Sequence, residues 1–266
     1  MSIASKVYEF NKVYFEDCIE AMKEFDDNSI DLCITDPPYN VGLVGNSQVR
    51  YSDIRSEKDN WKTQEKLSYY DNIPDYARWS LSWFSEALRA CRRLIFTPGN
   101  PNLKMWYELT EPVDIMFHYK PNGFGRTTNC LFNKGEVLLL YGDWKGVQFL
   151  QNVFIGEYQR NPCPRECMSI KVPLTNGFLR TDEFIHPCPK NVTLWETIIK
   201  EAKCETVLDP FMGSGTTAEA CEFLGKDWIG FELRKEYEVD IEKRIATGRN
   251  RKATRRPVTE QQSLEF

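Results

Sequence analysis

The segment VLDPFMGSGTTAEACEFLGKDWIGFEL (residues 207–233) decides the fold, because it encodes a strand, a glycine turn, a helix and a second strand in succession. Gly213 and Gly215 let the backbone turn sharply and leave room for a ligand close to the main chain. Glu232 ends the second strand, roughly 20 residues on, where an acid can bind ribose hydroxyls. The unit is typical of nucleotide binding at the carboxyl ends of parallel strands, although a tight turn without a ligand has the same local pattern.

Two common phosphate-binding motifs are excluded by the details of this turn. The third glycine position of the dinucleotide fingerprint is occupied by Ala218, and no Gly-Lys-Ser/Thr follows as in a P-loop. A pyrophosphate is therefore not the expected ligand.

Strands alternate with helices along most of the chain, which predicts a mostly parallel sheet covered on both faces. Helices are expected after Pro74, over 191–202, after the glycine turn and from about Lys235. The expected strands are 12–15, 30–35, 93–100, 113–120, 136–142, 206–210 and 227–233.

Composition bounds the class of protein. The 266 residues are 41% hydrophobic and 27% charged, which is typical of a globular protein with a sizeable core. No run of 18 apolar residues and no leader-like N-terminus is present, and nine scattered cysteines, an odd count, do not suggest a disulfide framework. We therefore expect a cytoplasmic, intracellular protein that does not associate with membranes.

The cysteine-rich stretch raises the question of a metal site. Cys163, Cys167, His186 and Cys188 are close in sequence, but Cys-x2-Cys pairs are absent. We expect ordinary thiols and no metal.

The net charge of −5 argues mildly against a nucleic-acid partner, because Lys and Arg provide the affinity for phosphate. The distribution of charge matters more than its sum, and residues 243–256 are strongly basic. This segment is interpreted either as a solvated tail or as an arm that contacts DNA.

A second motif lies at the end of the strand 30–35, where the chain reads DPPY from Asp36 through Pro37 and Pro38 to Tyr39. Alone, these residues predict only a rigid surface turn. Together, DPPY and DPFMGSGTT resemble the S-adenosylmethionine-dependent amino-methyltransferases of DNA, which act on adenine N6 or cytosine N4.

The resemblance extends through the Asp-Cys segment before DPPY, the hairpin NKGEVLLLYG (133–142) and HPCPKNVTLWETIIKEA (186–202), where Asn191 replaces the usual second proline. The order of motifs resembles the beta subgroup. It implies a circularly permuted, Rossmann-like, seven-stranded, mostly parallel sheet with one antiparallel strand and helices on both faces. We expect a catalytic part at 1–142, a cofactor-binding part at 186–248 and a basic, polar tail at 249–266. Residues 143–185, rich in prolines, cysteines and arginines with few periodic apolar positions, are expected to form a small target-recognition insertion.

The resemblance assigns chemistry to the DPPY residues. An exocyclic amine is a poor nucleophile, and Asp36 and the Pro37 carbonyl are expected to accept its two N–H groups. Pro37 and Pro38 restrict the backbone and hold these acceptors rigidly. The base must leave the duplex to reach them, and Tyr39 would stack on it.

Adenine N6 is the expected target, because cytosine-N4 relatives usually begin the motif with serine. Cytosine N4 is the alternative, followed by RNA or protein amides, although protein-amide relatives commonly begin the motif with Asn. A non-catalytic protein that binds cofactor or DNA on the same fold is a further alternative.

The resemblance also implies S-adenosylmethionine as cofactor and double-stranded DNA as partner, and it leaves a homodimer and a cognate restriction endonuclease open. The expected cofactor residues are Asp17, Asp209, Phe211, Gly213, Gly215, Thr216, Thr217, Glu232, His186 and Lys190, with Thr216 and Thr217 bonding the methionine carboxylate. Candidate DNA contacts are Arg50, Arg55, Trp61, Arg160, Arg165, Lys171 and Arg180.

Overall fold

The computed structural model describes residues 7–40, 73–119, 135–156, 171–172 and 190–254. Of the predicted site residues, His186, Arg50, Arg55, Trp61, Arg160, Arg165 and Arg180 lie outside these ranges, as do Cys163, Cys167 and Cys188. Lys171 is described only by its backbone.

The described strands form one sheet in the order β1-β9-β8-β2-β3-β5-β4-β6-β7. Strand β5 runs antiparallel to both of its neighbours, and every other adjacent pair is parallel, which confirms the predicted mostly parallel sheet with one antiparallel strand. The strands are β1 Lys12–Tyr14, β2 Leu32–Thr35, β3 Arg93–Phe96, β4 Asp114–Tyr119, β5 Gly135–Gly142, β6 Val153–Gly156, β7 Lys171–Val172, β8 Thr206–Asp209 and β9 Asp227–Phe231.

The sheet has nine strands rather than the seven expected. The two additional strands, β6 and β7, are short and extend the β4 edge. Both lie within 143–185, the region that is predicted to be a target-recognition insertion. They were not predicted because the region 143–185 contains few periodic apolar positions.

Helices cover both faces of the sheet, as predicted. One core cluster includes Trp106 and Trp83, and the other includes Trp195, Cys221 and Ile241. The helices are α1 Cys18–Met22, α2 Tyr76–Ala90, α3 Leu103–Leu109, α4 Val192–Glu201, α5 Thr216–Leu224 and α6 Glu238–Thr254. None of the helices in the described ranges is long and apolar enough to cross a membrane.

The first part of the C-terminal basic segment is helical, because α6 continues to Thr254, and residues 255–266 lie outside the described ranges. Its arginines pair with acids of the preceding helices: Arg244 Nη1 lies 2.6 Å from Glu219 Oε2, and Arg251 Nη1 lies 2.6 Å from Glu196 Oε1. The pattern of charge along the sequence did not reveal this, because the acids belong to α4 and α5. The basic residues of α6 that form these pairs stabilise helix packing.

Candidate active site

Two neighbouring parallel strands end at the same edge of the sheet and bring the two motifs together. β2 leads into Asp36, and β8 ends at Asp209. Thr35 Oγ1 donates a hydrogen bond of 2.5 Å to Asp209 Oδ1 across this junction. The adjacency of DPPY and the glycine turn follows from this strand order.

One oxygen of Asp36 is held by several donors. Oδ1 accepts hydrogen bonds from Tyr39 Oη at 2.5 Å and from Thr97 Oγ1, and it lies 3.0 Å from Lys190 Nζ. Oδ2 has no hydrogen-bond donor within the described part of the chain. The carboxylate is therefore fixed through Oδ1 and presents Oδ2 as an acceptor.

Lys190 joins this group instead of the glycine turn. Its Nζ lies 2.7 Å from Glu136 Oε1 and donates to Tyr39 Oη at 3.0 Å. Burial alone would lower the pKa of Lys190, but the Asp36 and Glu136 carboxylates outweigh burial and hold that pKa well above its usual value. The ammonium ion is thus retained, and only the Lys190 carbonyl points to the cofactor side, where Thr216 Oγ1 donates to it at 3.5 Å.

The phenol of Tyr39 stays protonated in this setting, because burial, reinforced by the charge of Asp36, raises its pKa well above the usual value. Its ring packs on the backbone of Gly99, whose φ is +72°. A Cβ at Gly99 would lie 2.7 Å from Tyr39 Cγ, so only glycine permits this approach.

The backbone after Asp36 is anchored from outside the motif. Tyr76 Oη donates to the Pro38 carbonyl at 2.7 Å, and Asn102 Nδ2 donates to the Tyr39 carbonyl at 2.6 Å. The Pro37 carbonyl accepts no hydrogen bond from the described residues. The Pro37 carbonyl and the Asp36 carboxylate are the two acceptors that the resemblance leads us to expect for the target amine.

Glu232 is positioned by the glycine turn at the end of β9. Its Oε2 accepts from the Gly213 N–H at 2.9 Å, and its Oε1 accepts from the Arg234 N–H at 2.9 Å. Burial nevertheless raises the pKa of Glu232 to about 7. The turn therefore holds a carboxyl group that changes between its neutral and ionised forms near neutral pH.

Asp209 and Thr217 have internal partners. Asp209 accepts from Thr217 Oγ1 at 2.5 Å and from the Phe211 N–H at 3.0 Å, while burial raises its pKa to about 6. Thr217 also accepts from Trp195 Nε1 at 3.0 Å and is almost fully buried. The expectation that Thr217 bonds the cofactor carboxylate is not supported by this geometry, because its hydroxyl bridges Asp209 and α4.

The remaining predicted cofactor residues flank the turn. Asp17 is exposed and caps α1 by accepting from the Ile19 N–H at 2.8 Å. Phe211 packs against Trp79 and Trp83, with ring centroids 5.6 and 5.3 Å away. Gly215 has a φ of +86° and precedes α5.

Asp36, Tyr39, Thr97, Lys190 and Glu136 form one connected cluster, the Asp36 group. Two of its members, Thr97 and Glu136, were not predicted from the sequence. Each belongs to a strand or strand end that the sequence did predict, but no local pattern marks either as functional. Their partners are 61 and 54 residues away in sequence. Only the order of the strands could have shown that they meet Asp36 and Lys190.

The groups described fit S-adenosylmethionine by their chemistry. Glu232 is a buried carboxylate at a strand end, suited to ribose hydroxyls, and the nine-residue helix α5 presents its N-terminus. Among the described residues, no group of three or more His, Cys, Asp or Glu side chains could hold a metal ion.

Solved structures establish the class of fold. The M1.HpyAVI–SAM complex matches with a TM-score of 0.53 at 21% identity, covering 88% of this chain and 98% of that one. PvuII DNA methyltransferase (cytosine-N4-specific) matches with a TM-score of 0.56 at 16% identity, covering 94% and 89%. The chain thus has the fold of the S-adenosylmethionine-dependent methyltransferases.

The family follows from sequence. The DNA methylase family, which comprises N6 and N4 methyltransferases, matches residues 30–243, and this chain belongs to it. Type II methyltransferase M.HpaI of Haemophilus parainfluenzae is 27% identical over 235 residues, covering 82% of this chain and 69% of that protein. M.HinfI of Haemophilus influenzae is 26% identical over 264 residues, covering 88% and 68%. The protein is a DNA methyltransferase that uses S-adenosylmethionine.

Proposed function

We propose that this protein methylates N6 of adenine at a specific sequence in double-stranded DNA, acting on a base turned out of the helix. The observation that carries the proposal is the Asp36 carboxylate, which is fixed through Oδ1 and open at Oδ2. An aspartate at this position favours adenine, because the cytosine-N4 enzymes that the sequence resembles usually carry serine there.

S-adenosylmethionine supplies a methyl group already activated on a sulfonium. Asp36 Oδ2 accepts one N–H of the target amine and the Pro37 carbonyl accepts the other, which draws the nitrogen towards tetrahedral geometry. Both acceptors stabilise the positive charge that develops on the nitrogen, and the surplus proton leaves along the bond to Asp36.

The other residues of the site bind and orient. Tyr39, supported by Gly99, stacks on the base, and such stacking is worth roughly 1–3 kcal/mol. Glu232, Asp17 and Phe211 hold the cofactor. The proposed DNA contacts are the basic residues Arg50, Arg55, Arg160, Arg165, Lys171 and Arg180. We also propose that residues 143–185 recognise the target sequence, and that the protein forms a homodimer and has a cognate restriction endonuclease.

Product analysis tests the target base. Duplex DNA is incubated with the protein and labelled cofactor, digested to nucleosides and separated. N6-methyladenine is expected. N4-methylcytosine without N6-methyladenine would overturn the adenine assignment, and cofactor binding without transfer to any DNA would support a non-catalytic protein.

Asp36→Ala tests the acceptor. We expect turnover to fall by at least about 100-fold, because an electrostatic contact to the developing charge is lost, while cofactor affinity stays within about twofold. The exposed Asp26→Ala serves as control and should retain full activity. Parallel loss of turnover and cofactor binding in the Asp36 variant would mean that Asp36 is structural.

A further inference from the structure

Glu136 lies at the start of β5, directly opposite His118 of β4. Its Oε1 is 2.7 Å from Lys190 Nζ, and its Oε2 is 3.7 Å from His118 Nδ1. The Lys190 and Glu136 side chains are only 13% and 14% exposed. A largely buried ion pair therefore contacts the Asp36 carboxylate through Lys190.

The charges of Asp36, Lys190 and Glu136 do not cancel one another. Lys190 Nζ is 3.0 Å from Asp36 Oδ1, so without compensation its positive charge would weaken Asp36 as a hydrogen-bond acceptor. Glu136 supplies the compensation from the other side of the ammonium. Counted with Tyr39 and His118 neutral, the two carboxylates and one ammonium leave one net negative charge beside the amine site.

The sign of that charge suits the reaction. Methyl transfer breaks the sulfur–methyl bond, whose electron pair stays on sulfur, and forms a nitrogen–methyl bond from the amine lone pair. Positive charge thus moves from sulfur to the amine nitrogen, next to Asp36. A net negative group at this place favours the transition state over the ground state.

We propose that Glu136 is a positioning residue for methyl transfer, which anchors and neutralises Lys190 so that Lys190 fixes Asp36 without cancelling its charge. The inference rests on the proposed function only in using Asp36 as the amine acceptor, and it holds whichever base is methylated. Glu136 acts through Lys190 and does not contact the substrate.

Glu136→Gln tests this role by single-turnover methyl transfer at saturating DNA and cofactor. We expect the rate to fall by about tenfold or more, with KM for DNA and for cofactor within about twofold. Glu136→Asp, which keeps the charge, should recover part of the rate. Glu205→Gln removes the same group from an exposed ion pair, with Lys226 at 2.6 Å, and should behave as wild type.

A double-mutant cycle with Lys190→Met separates this role from a structural one. If Glu136 acts through Lys190, the effect of Glu136→Gln should largely disappear in the Lys190→Met background. Additive losses, an unchanged rate in Glu136→Gln, or parallel losses of rate, cofactor affinity and thermal stability would each overturn the proposal. Rates are measured on the base that wild type methylates, so a cytosine product would contradict only the adenine assignment.

Discussion

Glu232, which we propose binds the cofactor, shows how burial sets the pKa of a single side chain. Two backbone N–H groups hold its oxygens and lower its pKa, but burial dominates and raises the pKa to about 7. At pH 6 most molecules of the free protein therefore carry a neutral Glu232. Ribose hydroxyls and a cationic cofactor both favour the ionised carboxylate, so cofactor binding should release a proton.

Cofactor affinity is expected to increase by up to about tenfold between pH 6 and pH 8, because the cost of ionising Glu232 disappears as the pH passes its pKa. Titration calorimetry in buffers of different ionisation enthalpy would measure both the affinity and the proton released. Glu232→Gln should bind more weakly and lose this dependence on pH. An equal dependence in that variant would assign the titration to another group.

At the scale of elements, the packing of α5 against α6 depends on buried charge. Arg244 and Glu219 form a pair in which both side chains are about 5% exposed, and Arg251 Nη1 also lies 3.1 Å from Glu219 Oε1. Gly248 allows the helices to approach, because a Cβ there would lie 2.5 Å from the Glu219 carbonyl oxygen. Removing one partner from such a pair leaves an incompletely compensated buried charge.

Arg244→Met is expected to lower the free energy of unfolding by about 3 kcal/mol, because Glu219 would lose its closest buried partner. Arg249→Met is the matched control: Arg249 is 58% exposed and pairs with Glu222, so its loss should cost less than about 1 kcal/mol. Denaturant unfolding would measure both. Equal effects would show that burial of the Arg244 pair is not what stabilises this helix contact.

At the scale of the whole molecule, the site exists because β2 and β8 are neighbours. Thr35 and Asp209 are 174 residues apart in sequence, and their hydrogen bond joins the strand that leads into DPPY to the strand that leads into the glycine turn. Burial raises the pKa of Asp209 to about 6, so the folded protein holds a proton there that the unfolded chain has lost. The ionisation of Asp209 therefore lowers the free energy of unfolding as the pH rises from about 4 through 6.

Thr35→Val should destabilise the protein more at pH 8 than at pH 5. Above the pKa of Asp209, its carboxylate is charged, and each hydrogen bond to it, including the one from Thr35, is worth about 1.5–3 kcal/mol. Below its pKa the loss should be nearer 1 kcal/mol. Thr197→Val, which removes a hydroxyl that donates to the Thr193 carbonyl, should show a difference independent of pH. A flat profile for Thr35→Val would contradict the coupling.

Local signals account for what could be predicted. The glycine turn, DPPY and the alternation of strands and helices are encoded in short stretches, because turn residues and apolar periodicity act within a few positions. The two motifs together then predicted the family and the cofactor, and the alternation of strands and helices predicted the mostly parallel sheet. Asp36 was identified because its neighbours in sequence mark it.

The contacts around Asp36 depended on tertiary structure. Lys190, Thr97 and Glu136 come from separate segments, and no local pattern indicates that their side chains meet one carboxylate. The basic end of α6 was likewise hidden, because its acidic partners lie on α4 and α5. The added strands β6 and β7 were hidden because 143–185 contains few periodic apolar positions. Residues far apart in the chain acquire a common environment only when the sheet order brings strand ends together. There, burial raises the pKa of Glu232, whereas the Asp36 and Glu136 carboxylates keep Lys190 charged against burial.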